Sequence, residues 1–263
     1  MLRLGATASD SHMTLCRELE KMFRRHGIAF DWVLYSGYDA MVDAFARKEI
    51  DLAWNGPLSY VKMKRLVNDA CQNVVMRDVD VNFTTQFITW PDSGITRMED
   101  LRGKRLAFGS RSSVQAGLLA YHFLKEAGIN PERDLATCTF VDERQGSGPS
   151  DERDVIERVR NREYDAGAVS RRTLEVMTEQ GALPPDSVRV FWSSPGYSHC
   201  CFTAHSDLDP SLARKVTDVF LSVDDRDPVG QAVLEAEACS TFVPGIVEGY
   251  EVLEKVAEAE GLI

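Results

Sequence analysis

The chain of 263 residues is 44% hydrophobic and 27% charged, enough apolar content to bury a core as one large domain or two smaller ones, which excludes a disordered or fibrous chain. Its formal net charge of −11 argues against a nucleic-acid partner, because phosphate-backbone binding relies on clustered Lys and Arg and no basic stripe interleaved with aromatics occurs. A small anion is not excluded, since backbone N–H groups and hydroxyls can hold one locally.

Leu2 to Ala6 reads as a strand, followed by a helix from Ser11 to His26 that stops at Gly27 and a second strand at Phe30 to Leu34. Tyr38 to Lys48 is an amphipathic helix with Met41, Val42 and Phe45 on its inner face. Asp51 to Trp54 is a short strand ending in Asn55-Gly56-Pro57, where the proline opens the next helix. This alternation predicts an α/β chain of βα units around a parallel sheet.

A second block follows Asp92-Ser93-Gly94. It predicts a helical turn at Met98 to Leu101, a strand at Lys104 to Phe108, and a long helix from Ser113 to Ala127 closed by Gly128. A strand at Thr137 to Val141, a helix at Asp151 to Arg160, a strand at Tyr164 to Val169 and a helix at Arg171 to Gln180 come next. Gln145 to Ser150, rich in Gly and Ser, reads as the loosest loop. Strands at Val188 to Trp192 and Cys200 to Ala204 precede helices at Pro210 to Val223, Val229 to Glu237 and Ile246 to Glu260. Extended segments near Phe83 to Trp90 and Val190 to Ala204 predict two lobes joined by two crossings. The expected division is residues 1–86 with 200–263 as the first lobe and 87–199 as the second.

Met1 to Ala6 already reads as a strand, and no run approaches 18 apolar residues. The expectation is a chain without a membrane span, cytoplasmic as the sequence stands, and periplasmic or lipid-anchored outside the cell if a leader is removed. Six cysteines without CxxC spacing are expected as reduced thiols.

The most informative stretch is residues 104–128, where an apolar strand runs through Gly109-Ser110-Arg111-Ser112-Ser113 into a helix. Hydroxyls and the unpaired N–H groups of a first helical turn can converge there on a phosphate, phosphonate, sulfonate or carboxylate. The competing reading is that Ser112 or Ser113 simply caps the helix. Arg111 could fork onto the same anion or point to solvent, and the sequence does not choose. Ligands of open α/β sheets bind outside the carboxyl ends of the strands. The loops holding Ser9, Tyr38, Asn55 with Gly56, and Ser110 to Ser113 are therefore candidates. Four to six convergent donors at ~0.5–1.5 kcal/mol each would support roughly micromolar affinity.

Three stretches carry a family resemblance: Tyr38 to Val61 (YDAMVDAFARKEIDLAWNGPLSYV), Ser93 to Leu135, and Glu152 to Ser170 (ERDVIERVRNREYDAGAVS). Together, and in this order, they resemble the solute-binding proteins of phosphonate and phosphate type ABC transporters. That resemblance implies a type 2 periplasmic-binding-protein fold, two βα lobes with a ligand cleft between them and a two-strand hinge. It implies a small anionic or zwitterionic ligand and an ABC permease as partner; no cofactor is expected, the net charge argues against nucleic acid, and no CxxC or HxxxH spacing supports a metal. Tyr38, Asn55 and Gly56 would face the ligand from the first lobe. Ser112 and Ser113 match the first two hydroxyls of the family's anion loop, while Val114 departs from the third, leaving Gln115 or Ser110 to replace it. Asp151, or the neighbouring Glu152, would neutralise a ligand amine, and Thr84 and Asp165 complete the expected set.

One segment stands apart: Ser194 to Thr203 places His199, Cys200 and Cys201 together. These are metal-ligand or thiol-nucleophile types, which support a second reading as a leaderless cytoplasmic enzyme or sensor on the same fold. Alternation along a strand lets at most one of the two cysteines face a site. Ordinary burial of both thiols is the plainer expectation.

Overall fold

The structure, a computed structural model, describes residues 1–144 and 151–263, so the Gln145 to Ser150 loop lies outside the described residues. In chain order it opens with β1 (Leu2–Thr7), α1 (Asp10–Arg25), β2 (Phe30–Tyr35), α2 (Tyr38–Ala46), β3 (Leu52–Asn55), α3 (Pro57–Leu66) and β4 (Cys71–Arg77). It continues with β5 (Thr85–Thr89), β6 (Arg105–Ala107), a π-helical turn (Val114–Leu118), α4 (Leu119–Glu126), α5 (Pro131–Asp134), β7 (Thr137–Thr139), α6 (Asp151–Arg160), β8 (Ala166–Ser170), α7 (Arg171–Glu179) and β9 (Arg189–Ser193). It closes with β10 (Cys201–His205), α8 (Pro210–Leu221), α9 (Pro228–Glu237), β11 (Phe242–Pro244) and α10 (Glu251–Ala259). Among the described residues no helix is long and apolar enough to cross a membrane.

Two compact units emerge, Met1–Asn82 with Tyr197–Ile263, and Phe83–Gly196. The expected boundaries at 86 and 199 move for a local reason. Thr85 and Gln86 pair with Ser170 and Ser193 in the second unit's sheet, whereas Ser198 and His199 donate their N–H groups to Gly249 and Asp80 in the first.

The first unit holds a six-stranded sheet in the order β11-β4-β10-β3-β1-β2. It is mixed rather than wholly parallel: β1 runs parallel to β2 and β3, while β10 lies antiparallel between β3 and β4. Alternation along the strands sends Leu4, Leu52 and Trp54 toward Leu15, Leu19 and Phe23 of α1 and toward Phe220 of α8. Ala53 goes the other way, to Met41, Val42 and Phe45 of α2 and Met63 of α3. The first core is an aromatic chain, with Trp54 stacked on Phe202 at 4.4 Å and Phe202 against Phe220 at 4.6 Å. Each such ring contributes about 2–3 kcal/mol when buried.

The second unit has a five-stranded sheet in the order β7-β6-β8-β5-β9. Here β6 is parallel to β7 and β8, and β5 is antiparallel to β8 and β9. Leu106 and Phe108 pack with Ala120 and Leu124 of α4, and Ala107 packs on the opposite face with Val155, Ile156 and Val159 of α6.

Candidate functional site

In the first unit, β1, β3 and β4 all run the same way, so Thr7, Asn55 and Arg77 end them at one edge of the sheet. The antiparallel β10 begins at that edge, with Cys201 opposite Asn55. Tyr38 opens α2 there after Gly37, and Glu237 ends α9 there. These elements enclose a cavity of about 200 Å³ whose wall includes His12, Tyr38, Asn55, Gly56, Arg77, Cys200 and Glu237.

The side chains of this wall are polar and interlocked. Asn55 is buried and its Nδ2 donates to the Cys201 carbonyl at 3.0 Å and to the Thr203 hydroxyl at 3.3 Å. His12 Nδ1 lies 2.7 Å from the Thr7 carbonyl, and burial lowers its pKa against that bond, which leaves the ring neutral. Tyr38 is half exposed, but burial pushes its phenol up to about 12 against a bond from the Thr7 side chain. A Cβ at position 56 would make ordinary contact with the Tyr38 ring and hydroxyl at 3.8 Å, which places Gly56 on the cavity wall beside that phenol.

Arg77 anchors the floor. Its Nη2 donates to Asp80 Oδ1 at 3.0 Å and its Nε to Asp80 Oδ2 at 2.5 Å, while Nη1 donates to the Glu237 main-chain oxygen at 2.9 Å. A cation at the last carbonyl of α9 suits the helix dipole. Asp80 is fully buried; burial raises its pKa, but the Arg77 charge and bonds from His199 and Arg77 win and hold it at about 2. Glu237 goes the other way: burial pushes its carboxyl up to about 7, with Arg77 opposing and Asp80 reinforcing.

His199, Cys200 and Asp80 do meet, with ligand atoms within 4.8 Å of one another. The arrangement suits neither thiol chemistry nor a metal. His199 Nδ1 faces both Asp80 Oδ1 at 3.0 Å and Cys200 Sγ at 3.2 Å, so one ring nitrogen serves both partners, whereas a base in a triad needs one for each. Burial first, and Asp80 second, push the Cys200 thiol well above its ordinary value, which denies it the thiolate. Both Asp80 oxygens already take the Arg77 guanidinium, a cation where a metal would have to sit. Cys201 turns away from Cys200, into contact with Asn55 and Thr203.

In the second unit β6, β7 and β8 are parallel, and the loop after β6 lies at their carboxyl edge. Ser110 donates its N–H to Asp151 Oδ2 at 3.1 Å, and its hydroxyl lies 3.2 Å from that of Ser112. Ser113 takes the capping role, accepting from the Ala116 N–H at 3.3 Å at the start of the π turn, a helix variant frequent at functional sites. Gln115 Nε2 donates to Glu152 Oε1 at 2.7 Å, and Glu152 Oε2 accepts from the Ser170 N–H and hydroxyl. Arg111 is not aimed at the loop: its guanidinium pairs with Glu143 and lies 4.0 Å over the Phe140 ring. Asp165 is not brought there either, since it bonds Arg105 at the opposite end of β6. Ser9 caps α1 through the His12 N–H, and Thr84 is buried in the second unit.

The loop is pressed onto its helix. A Cβ at Gly117 would lie 2.1 Å from the Ser110 carbonyl oxygen, a backbone atom that must move. Gly117→Ala is therefore expected to cost about 1–3 kcal/mol in chemical denaturation, by displacing the loop that holds Ser110 and Ser112. A loss within the error of the fit would show that the loop yields freely.

Sequence reasoning missed His12, Arg77, Asp80 and Glu237. Arg77 and Asp80 had a signal, a basic residue three places before an acid after the apolar run Val74-Val75-Met76. Glu237 had none, because its surroundings in AVLEAE read as a solvent face.

The family model described as "ABC transporter, phosphonate, periplasmic substrate-binding protein" matches residues 10–250. The probable ABC transporter phosphite binding protein PhnD1 of Prochlorococcus marinus is 23% identical over 271 residues, covering 97% of this chain and 88% of the relative. The structure of that PhnD1 with methylphosphonate aligns with a TM-score of 0.76 at 20% identity, over 100% of this chain and 98% of the other. The periplasmic aliphatic sulphonate binding protein SsuA of Escherichia coli aligns at 0.65 and 16% identity, over 100% and 93%. These likenesses establish a type 2 periplasmic-binding-protein fold. The match to the family model extends over nearly the whole chain, and the protein belongs to the periplasmic substrate-binding proteins of phosphonate ABC transporters.

Proposed function

We propose that this protein captures a small phosphonate-class oxyanion, a phosphonate or a phosphate ester, outside the cytoplasm and hands it to an ABC permease. The observation that carries the reading is the first unit's cavity. It gathers Tyr38, Asn55 and Gly56, all expected from the sequence, beside the guanidinium of Arg77. The second unit offers the Ser110 and Ser112 hydroxyls next to a helix start, donors that an oxyanion accepts without needing net positive charge. Methylphosphonate, the ligand in the PhnD1 structure, is the natural first probe.

Isothermal titration with methylphosphonate is the test. Tyr38→Phe and Ser112→Ala are each expected to weaken binding about tenfold, since a hydrogen bond to a charged group contributes ~1.5–3 kcal/mol. Ser113 is the wrong residue to test, because its loss would also uncap the helix. Unchanged affinity in both variants would defeat the reading.

A further inference from the structure

Two buried side chains on the wall of the first unit's cavity each leave an oxygen without a hydrogen-bond partner among the described residues: Asn55 Oδ1 and Glu237 Oε2. Asn55 is 2% exposed and Glu237 3%, so bulk water is not their partner. The Asn55 amide cannot usefully turn round, because its Nδ2 is committed to Cys201 and Thr203. The cation beside Glu237, Arg77 Nη1, stands 3.5 Å from Oε2 and gives its hydrogen bond to the main chain. His12 adds a third acceptor: with Nδ1 donating to Thr7, its Nε2 keeps a lone pair. An unmet buried acceptor costs ~1–3 kcal/mol until something donates to it. This wall calls for donors, and a fully ionised oxyanion has none.

We propose that the wall reads a proton on the ligand: the P–OH of a hydrogen phosphonate gives its one proton to a hydrogen bond with Glu237 Oε2, on a wall where Asn55 Oδ1 stands as a further acceptor, which sets the protein against sulfonates of the same size. This rests on the reading that the protein binds a phosphonate-class oxyanion. Phosphonate and sulfonate heads share a tetrahedral shape, so contour alone cannot part them. Their protons can, because a phosphoryl group gives up its second proton only near neutral pH, whereas a sulfonate is ionised throughout. At a pH where Glu237 is ionised, a site built to bond a proton rejects the ligand lacking it by leaving its lone pairs against an anionic oxygen.

Around Glu237 stand His12 and Cys16 from α1, Tyr38 from α2, Arg77 from β4, Asp80 beyond it, Cys200 before β10 and Cys239 after α9. Arg77 and Asp80 offset each other, His12 is held neutral and burial keeps the thiols protonated. The proton in play is the one between Glu237 and the ligand. The complex holds one such proton whichever partner brought it. When both partners start ionised, near pH 9, binding must therefore take up about one proton.

The test is calorimetry at pH 8.5, where Glu237 is ionised, with ethylphosphonate, ethanesulfonate and the 2-amino derivative of each. Wild-type protein is expected to prefer ethylphosphonate over ethanesulfonate by about tenfold or more, and Glu237→Gln, whose amide can donate to any oxyanion, to bring the two within about threefold. Proton uptake is read on the wild type alone, near pH 9, in two buffers of different ionisation enthalpy, which keeps the proposal testable if the variant fails to fold. A ratio unchanged in Glu237→Gln, an uptake near zero, or ethanesulfonate binding as well as ethylphosphonate would overturn it. So would aminoethanesulfonate matching ethylphosphonate, which would make an ammonium the donor. Failure of all four compounds to bind the wild type would instead defeat the functional reading beneath it.

Discussion

Asp80→Ala is expected to destabilise the first unit by about 3–5 kcal/mol, the range for breaking a buried ion pair by removing one partner. Asp80 has no exposed surface, and it takes bonds from Arg77, from His199 Nδ1 and from the Cys200 N–H at 3.2 Å. Its loss strands the Arg77 guanidinium beneath the cavity and frees the segment that leads into β10. Urea denaturation at neutral pH measures the cost, and a loss below about 1 kcal/mol would show the network to be ornamental. The double variant Arg77→Met, Asp80→Leu separates charge from packing, since apolar replacement of a whole buried pair is often neutral. Acid gives the same answer by another route. A carboxyl held at about 2 contributes stability that is present above its unfolded value near 3.8 and is lost as pH falls toward 2.

Glu237 is expected to tilt the stability curve in the opposite sense. Its folded pKa, about 7, lies above its ordinary 4.5, so the folded state binds the proton more tightly. That contribution is full below pH 4.5 and is lost as pH rises through 7, a change on the order of 3 kcal/mol from a shift of this size. Melting temperature followed from pH 4.5 to 8.5 should fall in the wild type. In Glu237→Gln the fall should be much smaller, leaving the variant the more stable protein at the alkaline end. Parallel curves for the two proteins would mean that Glu237 is ionised in the fold at neutral pH.

Much of this architecture is legible in the sequence because it is local. The period of Met41, Val42 and Phe45 fixes the inner face of α2, and Asn55-Gly56-Pro57 marks where β3 yields to α3. β4 and β11 are not legible by the same means. The first opens on the polar Cys71-Gln72-Asn73 and the second is only three residues long, so neither shows a strand period before its neighbour is in place. The antiparallel entry of β10 is likewise a matter of topology, not of composition. For the site, Tyr38, Asn55 and Gly56 follow from the rule that strand ends carry ligands, whereas Arg111 is misleading because Glu143 and Phe140, distant in sequence, claim its guanidinium. Asp165 misleads for a simpler reason: it stands at the wrong end of its strand.

The place of β10 has a further consequence for synthesis. This strand sits between β3 and β4, yet it is made only after the whole of the second unit. A nascent chain emerging from the ribosome therefore carries β3 with one edge open and β4 without either of its neighbours for as long as residues 83–196 are being made, whereas those residues bring all five strands of their own sheet in one uninterrupted run.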